Sequence, residues 1–252
     1  VTILFLKLVN RGVSIMSIKS KSDHIYLDLK KRIYSEEFDH YQILPTEKEL
    51  ELAYNASRNT VRKAIRLLNI EGLVYSKTGS SNVVLRRVPI TDELISTGNI
   101  MRPSKIKHND IETVVLSYNQ STVNAKLANK STFDEGESVF HAVRLRIIGG
   151  KPMIIDDSYF REEIVSGLNQ KIASQSIYEY IQKTLGLKII GSKMADRVVK
   201  AEKMDRDNLV LGDKNCIAQT QNWAYIDSGE IFEYTEIHFS PEFYVRTRFV
   251  PR

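Results

Sequence analysis

The sequence predicts an α+β protein in two parts, and three observations predict it. Residues 22–76 pass from one helical apolar period to the next with capping residues between them. Residues 139–250 read mainly as short strands with few helices among them, the pattern of a mostly antiparallel sheet. The basic excess sits in the first third: residues 17–90 hold 13 Lys and Arg against 9 Asp and Glu, while residues 91–252 hold 21 against 22. A first part that meets polyphosphate and a second that does not would be charged in this way. The net charge of +5 and pI near 9.1 are too mild to make that case alone. At 252 residues, with 42% hydrophobic and 27% charged content, the chain can bury two cores.

In chain order, Ser22 to Ser35 carries Ile25, Tyr26, Leu29 and Ile33 at helical spacing. A loop runs through Phe38–Leu44. Pro45 and Thr46 then open a second helix, where Thr46-Glu-Lys-Glu49 fits a capping box. That helix carries Leu50 and Ala53 and stops near Asn55, a residue tolerant of left-handed geometry. Ser57 caps a third helix with Val61, Ala64, Ile65 and Leu68 inward, ended by Gly72. Leu73–Ser76 and Val83–Leu85 flank Lys77-Thr-Gly-Ser-Ser81 as a hairpin. Helix, helix, tight turn, helix, hairpin is the winged helix-turn-helix order.

Residues 17–86 are therefore expected to be one domain, 87–93 a linker closed by Pro89, and 94–252 the second domain. Within that domain Val139–Ile148 and Met153–Tyr159 pair around Gly149-Gly150, and Ser176–Leu185 is a helix ended by Gly186. Leu187–Ile190, Cys216–Ile226, Ile231–Phe239 and Tyr244–Val250 are further strands, with Asp227-Ser-Gly229 as a turn. Residues 1–16 are set apart as an N-terminal extension or an alternative start ahead of Met16.

A single cysteine, Cys216, excludes an internal disulfide and a Cys-rich zinc site, and it suits a reducing cytoplasm. The five histidines are scattered, so neither a metal nor a cofactor is expected. No apolar run reaches the roughly 18–20 residues that span a bilayer.

On the third helix Arg58, Arg62 and Arg66 recur every four residues beside Asn59, Thr60 and Lys63. Such a face is either simply solvated or fitted to a duplex, where Arg bridges guanine or phosphate and Asn pairs with adenine. Ser57 and the helix N-terminus suit a phosphate. Residues 25–85 resemble the DNA-binding domain of the GntR family of bacterial regulators. The resemblance rests on Leu44-Pro-Thr-Glu-x-Glu-Leu50, Ser57-Arg-Asn-Thr-Val-Arg-Lys-Ala-Ile65 and Leu68-x-x-Glu-Gly-Leu-Val74. It implies that Lys48, Ser57, Arg58, Thr60 and Arg62 contact DNA, with Arg58 and Arg62 as base readers. Lys48 stands where relatives often carry Arg, which exchanges a two-pronged contact for a point charge. The wing, with Lys77 and Gly79, keeps one glycine for approach to the minor groove, but Ser81 replaces the second.

In the second domain Arg144 and Arg146 leave the same strand face. Either that face is solvated, or an anion or acidic groups sit between the two guanidiniums. Residues from about 90 to 250 resemble the UTRA effector domain of the HutC-type branch of the same family, similar in fold to chorismate lyase. The matching stretches are Arg144-x-Arg146 before Gly150-Lys-Pro152, Asp156-x-Ser-Tyr159, Ser176-Ile-Tyr178-Glu-Tyr180 and Phe232-Glu-Tyr-Thr-Glu236. The resemblance implies that Arg144, Arg146, Ser176 and Tyr178 hold phosphate while Asp156 and Glu233, with Ser158 and Tyr159 alongside, meet sugar hydroxyls. Asp156 is shorter than the Glu common there, and Phe239 stands where some relatives carry Tyr. Asp156-x-x-Tyr-Phe160 and Tyr234-Thr-Glu236 are most similar to trehalose operon repressors, which implies trehalose 6-phosphate, with other disaccharide phosphates or glucosamine 6-phosphate as alternatives. Trp223 and Tyr225 either stack on a sugar or belong to the core.

These readings describe a homodimeric repressor, not an enzyme, that leaves a palindromic operator when a sugar phosphate binds. The rival is an enzyme using Asp156, Asp157, Glu233 or His141 as acid or base, although no nucleophile-base motif, metal set or phosphate-cradling glycine loop accompanies them.

Overall fold

The structure, a computed structural model, describes residues 20–38, 41–77, 81–85, 95–96, 111–245 and 250. The expected N-terminal extension, the expected linker 87–93 and Gly79 lie outside the described residues. The described residues fall into two compact units, 20–96 with 250, and 111–245.

The first unit is built by its caps and apolar stripes. Helix α1 (Lys21–Tyr34) is capped by Ser20 and buries Ile25, Leu29 and Ile33. Helix α2 (Glu47–Ala53) begins with the full capping box: Thr46 Oγ1 accepts from the Glu49 amide at 3.3 Å, and the Thr46 amide donates to Glu49 Oε2 at 2.7 Å. Those reciprocal bonds satisfy two orphan donors and hold the Glu49 carboxyl below its ordinary range. Only Leu50 of this helix is buried; Ala53, its last residue, is exposed. Asn55 takes the left-handed conformation, with φ +46°, and turns the chain into α3 (Arg58–Ile70). Val61, Ala64, Ile65 and Leu68 of α3 pack with Ile25, Leu29 and Leu50 in one core. Strands β1 (Val74–Lys77) and β2 (Ser81–Val84) form the antiparallel hairpin, and β3 (Ile95–Ser96) follows.

Ser57 Oγ accepts from the Thr60 amide at 3.3 Å at the start of α3. Ser57→Ala is expected to cost the first unit about 1 kcal/mol in urea unfolding, and Ser57→Asp much less. Equal losses would show that the cap contributes nothing through its oxygen.

The second unit is one six-stranded antiparallel sheet in the order β4-β5-β6-β9-β8-β7. Its strands are β4 (Ile111–Thr122), β5 (Ser138–Ile148), β6 (Lys151–Arg161), β7 (Ile189–Lys200), β8 (Cys216–Ile226) and β9 (Ile231–Phe239). Two meanders, β4-β5-β6 and β7-β8-β9, thus meet along β6 and β9. Gly149 and Gly150, at φ +57° and +76°, make the tight turn between β5 and β6 that residues with a Cβ disfavour.

Helices α5 (Gln170–Ala173) and α6 (Ile177–Lys183) cover one sheet face through Ala173, Ile177 and Ile181, which pack on Phe140, Phe160 and Ala224. The opposite face is covered by α4 (Ala125–Ser131) and by the segment around α7 (Lys203–Asn208), where Leu209 and Leu211 pack on Val143, Leu145 and Ile155. A buried pair fastens α7: Asp205 Oδ1 lies 2.7 Å from His238 Nδ1 on β9, and its other oxygen accepts from the Glu202 amide. A 3₁₀ turn (Pro241–Phe243) and β10 (Tyr244–Val245) close the unit; residues 246–249 of the strand expected to reach Val250 lie outside the described residues.

The bounds expected for β8 and β9 coincide with those observed. Strand β7 runs to Lys200 instead of ending at Ile190, and β4 was not expected at all. Both are edge strands with many exposed residues, so neither carries the apolar signature that marks a strand in sequence.

Candidate functional site

On the first unit, the amphipathicity of α3 turns Arg58, Asn59, Arg62, Lys63 and Arg66 to the outside, with Ser57 and Lys48 exposed beside them. Glu47, the first residue of α2, organises this surface. One of its oxygens accepts from Arg58 Nε at 3.0 Å, and the other lies 3.3 Å from Arg62 Nε. The guanidiniums stay exposed, at 68% and 60% of their side-chain surface, so the clamp restrains them without hiding them.

The hairpin is tied to the same helix. Asn69 Nδ2 donates to Ser76 Oγ at 2.8 Å, the Ser76 amide donates back to Asn69 Oδ1, and Ser76 Oγ donates to the buried Asn82 Oδ1 at 2.7 Å. A groove lined by Glu47, Arg62, Arg66, Asn69, Ser76 and Ser81 runs between α3 and the hairpin. Sequence reasoning missed Glu47 and the Asn69–Ser76–Asn82 link. The capping position of Glu47 was visible, but its reach across to α3 depends on how the two helices pack.

On the second unit, strand alternation and the register collect a polar stripe on the face that α5 and α6 cover. Arg144 stands opposite Asp156, Arg146 opposite Thr113, and Ser158 between Ala142 and Thr235. Asn222 stands opposite Thr235 on the far side. The acidic group between the two arginines is Asp156: its Oδ2 accepts from Arg146 Nε at 2.9 Å and lies 2.8 Å from Arg146 Nη2 and 3.2 Å from Arg144 Nη2. Arg146 Nη1 also donates to Thr113 Oγ1 at 2.6 Å.

Burial decides the electrostatics here. Desolvation, then repulsion from Arg146, holds Arg144 below its ordinary value. Desolvation pushes Asp156 upward, but the charges of Arg146 and Arg144 outweigh it, and the carboxyl ends below its ordinary value. Glu233 is pushed up by burial while accepting from the Tyr178 hydroxyl and, at 2.7 Å, from Thr235 Oγ1. Burial, then the charge of Glu233, drives Tyr178 well above its ordinary value. Arg144 is 6% exposed, and its Nε has no partner. A cleft of about 580 Å³, lined by Val115, Gln170, Lys171 and Ser174, opens between β4 and α5 on this side of the sheet.

The structure thus brings together Arg144, Arg146, Asp156, Ser158, Tyr178 and Glu233. Ser176 is exposed, and its hydroxyl caps α6, accepting from the Glu179 amide at 3.3 Å. Tyr159 is separated from the group. Its odd position in β6 turns it to the other face, where it stacks on His141 with centroids 4.2 Å apart. Asp157 lies on that other face as well, bonded to His141 at 2.7 Å, so the four residues of the enzyme reading are divided between two sides of the sheet. Trp223 also faces that side, donating to the Lys130 carbonyl and packing on Tyr234 in the core. Thr113, Thr235 and Asn222 were missed, because which strands pair, and in what register, is not written in the local pattern.

Comparison with known proteins agrees with both units. Residues 21–84 match the family described as bacterial regulatory proteins, gntR family, and residues 107–244 match the UTRA domain. The HTH-type transcriptional regulator TreR of Bacillus subtilis (strain 168) is 28% identical over 215 residues, spanning 84% of this chain and 89% of that protein. The HTH-type transcriptional regulator GmuR of the same organism is 26% identical over 223 residues, spanning 86% and 92%. The crystal structure of the possible transcriptional regulator YydK from Bacillus subtilis shares the fold, with a TM-score of 0.74 at 22% identity over 92% of this chain and 100% of that one. No helix among the described residues is long and apolar enough to cross a membrane. With a helix-turn-helix unit of one match followed by an antiparallel effector-type sheet of the other, the chain belongs to the gntR family of bacterial regulatory proteins and is a transcriptional regulator with a UTRA domain.

Proposed function

We propose that the chain is a homodimeric repressor of a carbohydrate-use operon that a sugar phosphate releases from its operator. Residues 17–86 bind DNA, with Lys48, Ser57, Arg58, Asn59, Thr60 and Arg62 at the duplex and Lys77 and Gly79 in the wing. Residues 94–252 bind the effector and join the two copies. The observation that carries the effector half of this reading is Arg144: a guanidinium 6% exposed, beside a second one, with an unpaired Nε. Two cations share one carboxylate oxygen, and the Arg144 Nε donor left over is the kind of group from which a phosphate oxygen accepts. Hydroxyl and carboxyl groups from Ser158, Thr235 and Glu233 line the same face, as a polyol requires.

Trehalose 6-phosphate is the first effector to test, since the Asp156-x-x-Tyr-Phe160 and Tyr234-Thr-Glu236 motifs resemble trehalose operon repressors. In the experiment the purified protein binds the DNA upstream of its own gene while trehalose 6-phosphate, glucosamine 6-phosphate and their unphosphorylated sugars are titrated in. A phosphorylated sugar is expected to weaken DNA binding, and the DNA to weaken sugar phosphate binding by the same factor. Equal effector affinity with and without DNA would remove the switch from this account.

A further inference from the structure

Among the described residues, three buried side-chain polar atoms lack a hydrogen-bond partner: Arg144 Nε, Asn222 Oδ1 and Tyr244 Oη. Two of them, one donor and one acceptor, lie on the same face of the same sheet. Arg144 is on β5 and Asn222 on β8, with β6 and β9 between them, about 14 Å from strand to strand at the usual spacing. Asn222 is 4% exposed, so its empty acceptor has been taken out of water without compensation.

The bonds around Asn222 converge on Glu233. The Tyr178 proton is committed to Glu233 Oε2. Thr235 Oγ1 donates to Glu233 Oε1 at 2.7 Å and lies 2.9 Å from Ser158 Oγ. Each Glu233 oxygen therefore has its donor, one from Tyr178 and one from Thr235. The carbonyl oxygen of Asn222, on the same face, is left without a donor. A ligand that completes the face brings an anionic oxygen to Arg144 and a hydrogen-bond donor to Asn222.

We infer that Asn222 is a specificity-determining residue of the effector site, accepting a hydrogen bond from one hydroxyl of the sugar whose phosphate lies at Arg144 and Arg146. This rests on the sugar phosphate reading of the site and adds to it the residue that tells a sugar phosphate from bare phosphate. A missing hydroxyl leaves Oδ1 buried and unpaired in the complex, which is how a site built around a hydrogen bond rejects an analogue that lacks it.

The test pairs the substitution with deletion of a ligand hydroxyl. Inorganic phosphate, glucose 6-phosphate and trehalose 6-phosphate, and monodeoxy analogues of the two sugar phosphates, are titrated by calorimetry into the full-length wild type and Asn222→Ala, with melting curves to verify folding. Asn222→Ala is expected to leave the affinity for inorganic phosphate within about twofold and to lower that for the preferred sugar phosphate about threefold to tenfold. One deoxy analogue should lose a similar factor against the wild type and nothing against the variant. If Asn222→Ala does not fold, Asn222→Thr, better suited to a strand, takes its place in the same cycle.

Deoxy analogues that lose equally against both proteins overturn the assignment of Asn222. So does a wild type that binds sugar phosphates no tighter than inorganic phosphate, which leaves the anion site standing. A wild type that binds neither overturns the sugar phosphate reading itself, and the inference with it.

Discussion

Replacing Arg58 and Arg62 together by alanine is expected to lower operator affinity by at least about a hundredfold at moderate salt, while the protein stays folded. A two-pronged arginine contact to a base is worth about 1–3 kcal/mol, and every tenfold in affinity is about 1.4 kcal/mol. Folding is spared because the stability of α3 lies elsewhere: the Ser57 cap, and Val61, Ala64, Ile65 and Leu68 in the core, are untouched. The two losses will not add. Both guanidiniums are held by Glu47, so removing one frees the carboxylate to hold the other alone. Binding measured across a salt series separates the roles: loss of base contacts relaxes discrimination between operator and random DNA, while loss of phosphate contacts lowers the salt slope. Unchanged grip of the operator by a folded double variant would end the assignment of α3 as the reading helix.

The second large effect is expected at Asp156. Asp156→Asn takes away the carboxylate that bridges two guanidiniums, one of them 6% exposed, and breaking such a pair costs about 3–5 kcal/mol. Because the folded carboxyl is depressed below the ordinary aspartate value of 3.8, its contribution is fully present above that value and is lost as pH falls below it. The wild type should therefore lose stability on acidification below about pH 4 through this group, and the variant should lack that component.

An added anion can replace what the substitution removes. Inorganic phosphate at a hundred times the wild-type dissociation constant stabilises the wild type by about 2.7 kcal/mol, and at that same concentration the gain should be larger for the variant, whose arginines have no competing carboxylate and bind phosphate more tightly. Melting curves with and without phosphate test this. A variant as stable as the wild type, or one that phosphate stabilises no more, would show that Asp156 is not the counter-ion of the pair.

Most of what was legible in the chain concerns segments whose structure is set by neighbours in sequence. The capping box at Thr46-x-x-Glu49, the Ser57 cap, the inner face of α3 and the Gly149-Gly150 turn all rest on interactions spanning four residues or fewer, so local pattern suffices to read them. Strands β8 and β9 were equally plain, because apolar and aromatic residues flank the Asp227-Ser-Gly229 turn that joins them as a hairpin. Edge strands β4 and β7 carry no such mark.

The sequence by itself determined the two-part α+β organisation, the cationic face of α3 and the two arginines that share a strand face. Tertiary structure alone decided what those arginines meet. Asp156 faces Arg144 from ten or more positions away, Asn222 reaches the same surface from β8, and Glu47 crosses from α2 to clamp α3. It also decided that Asn222 faces the site and Trp223 beside it turns away, since a shift of one residue in register exchanges a strand's two faces. Register between strands distant in sequence comes from the packing of the whole sheet, and a window of neighbouring residues does not contain it.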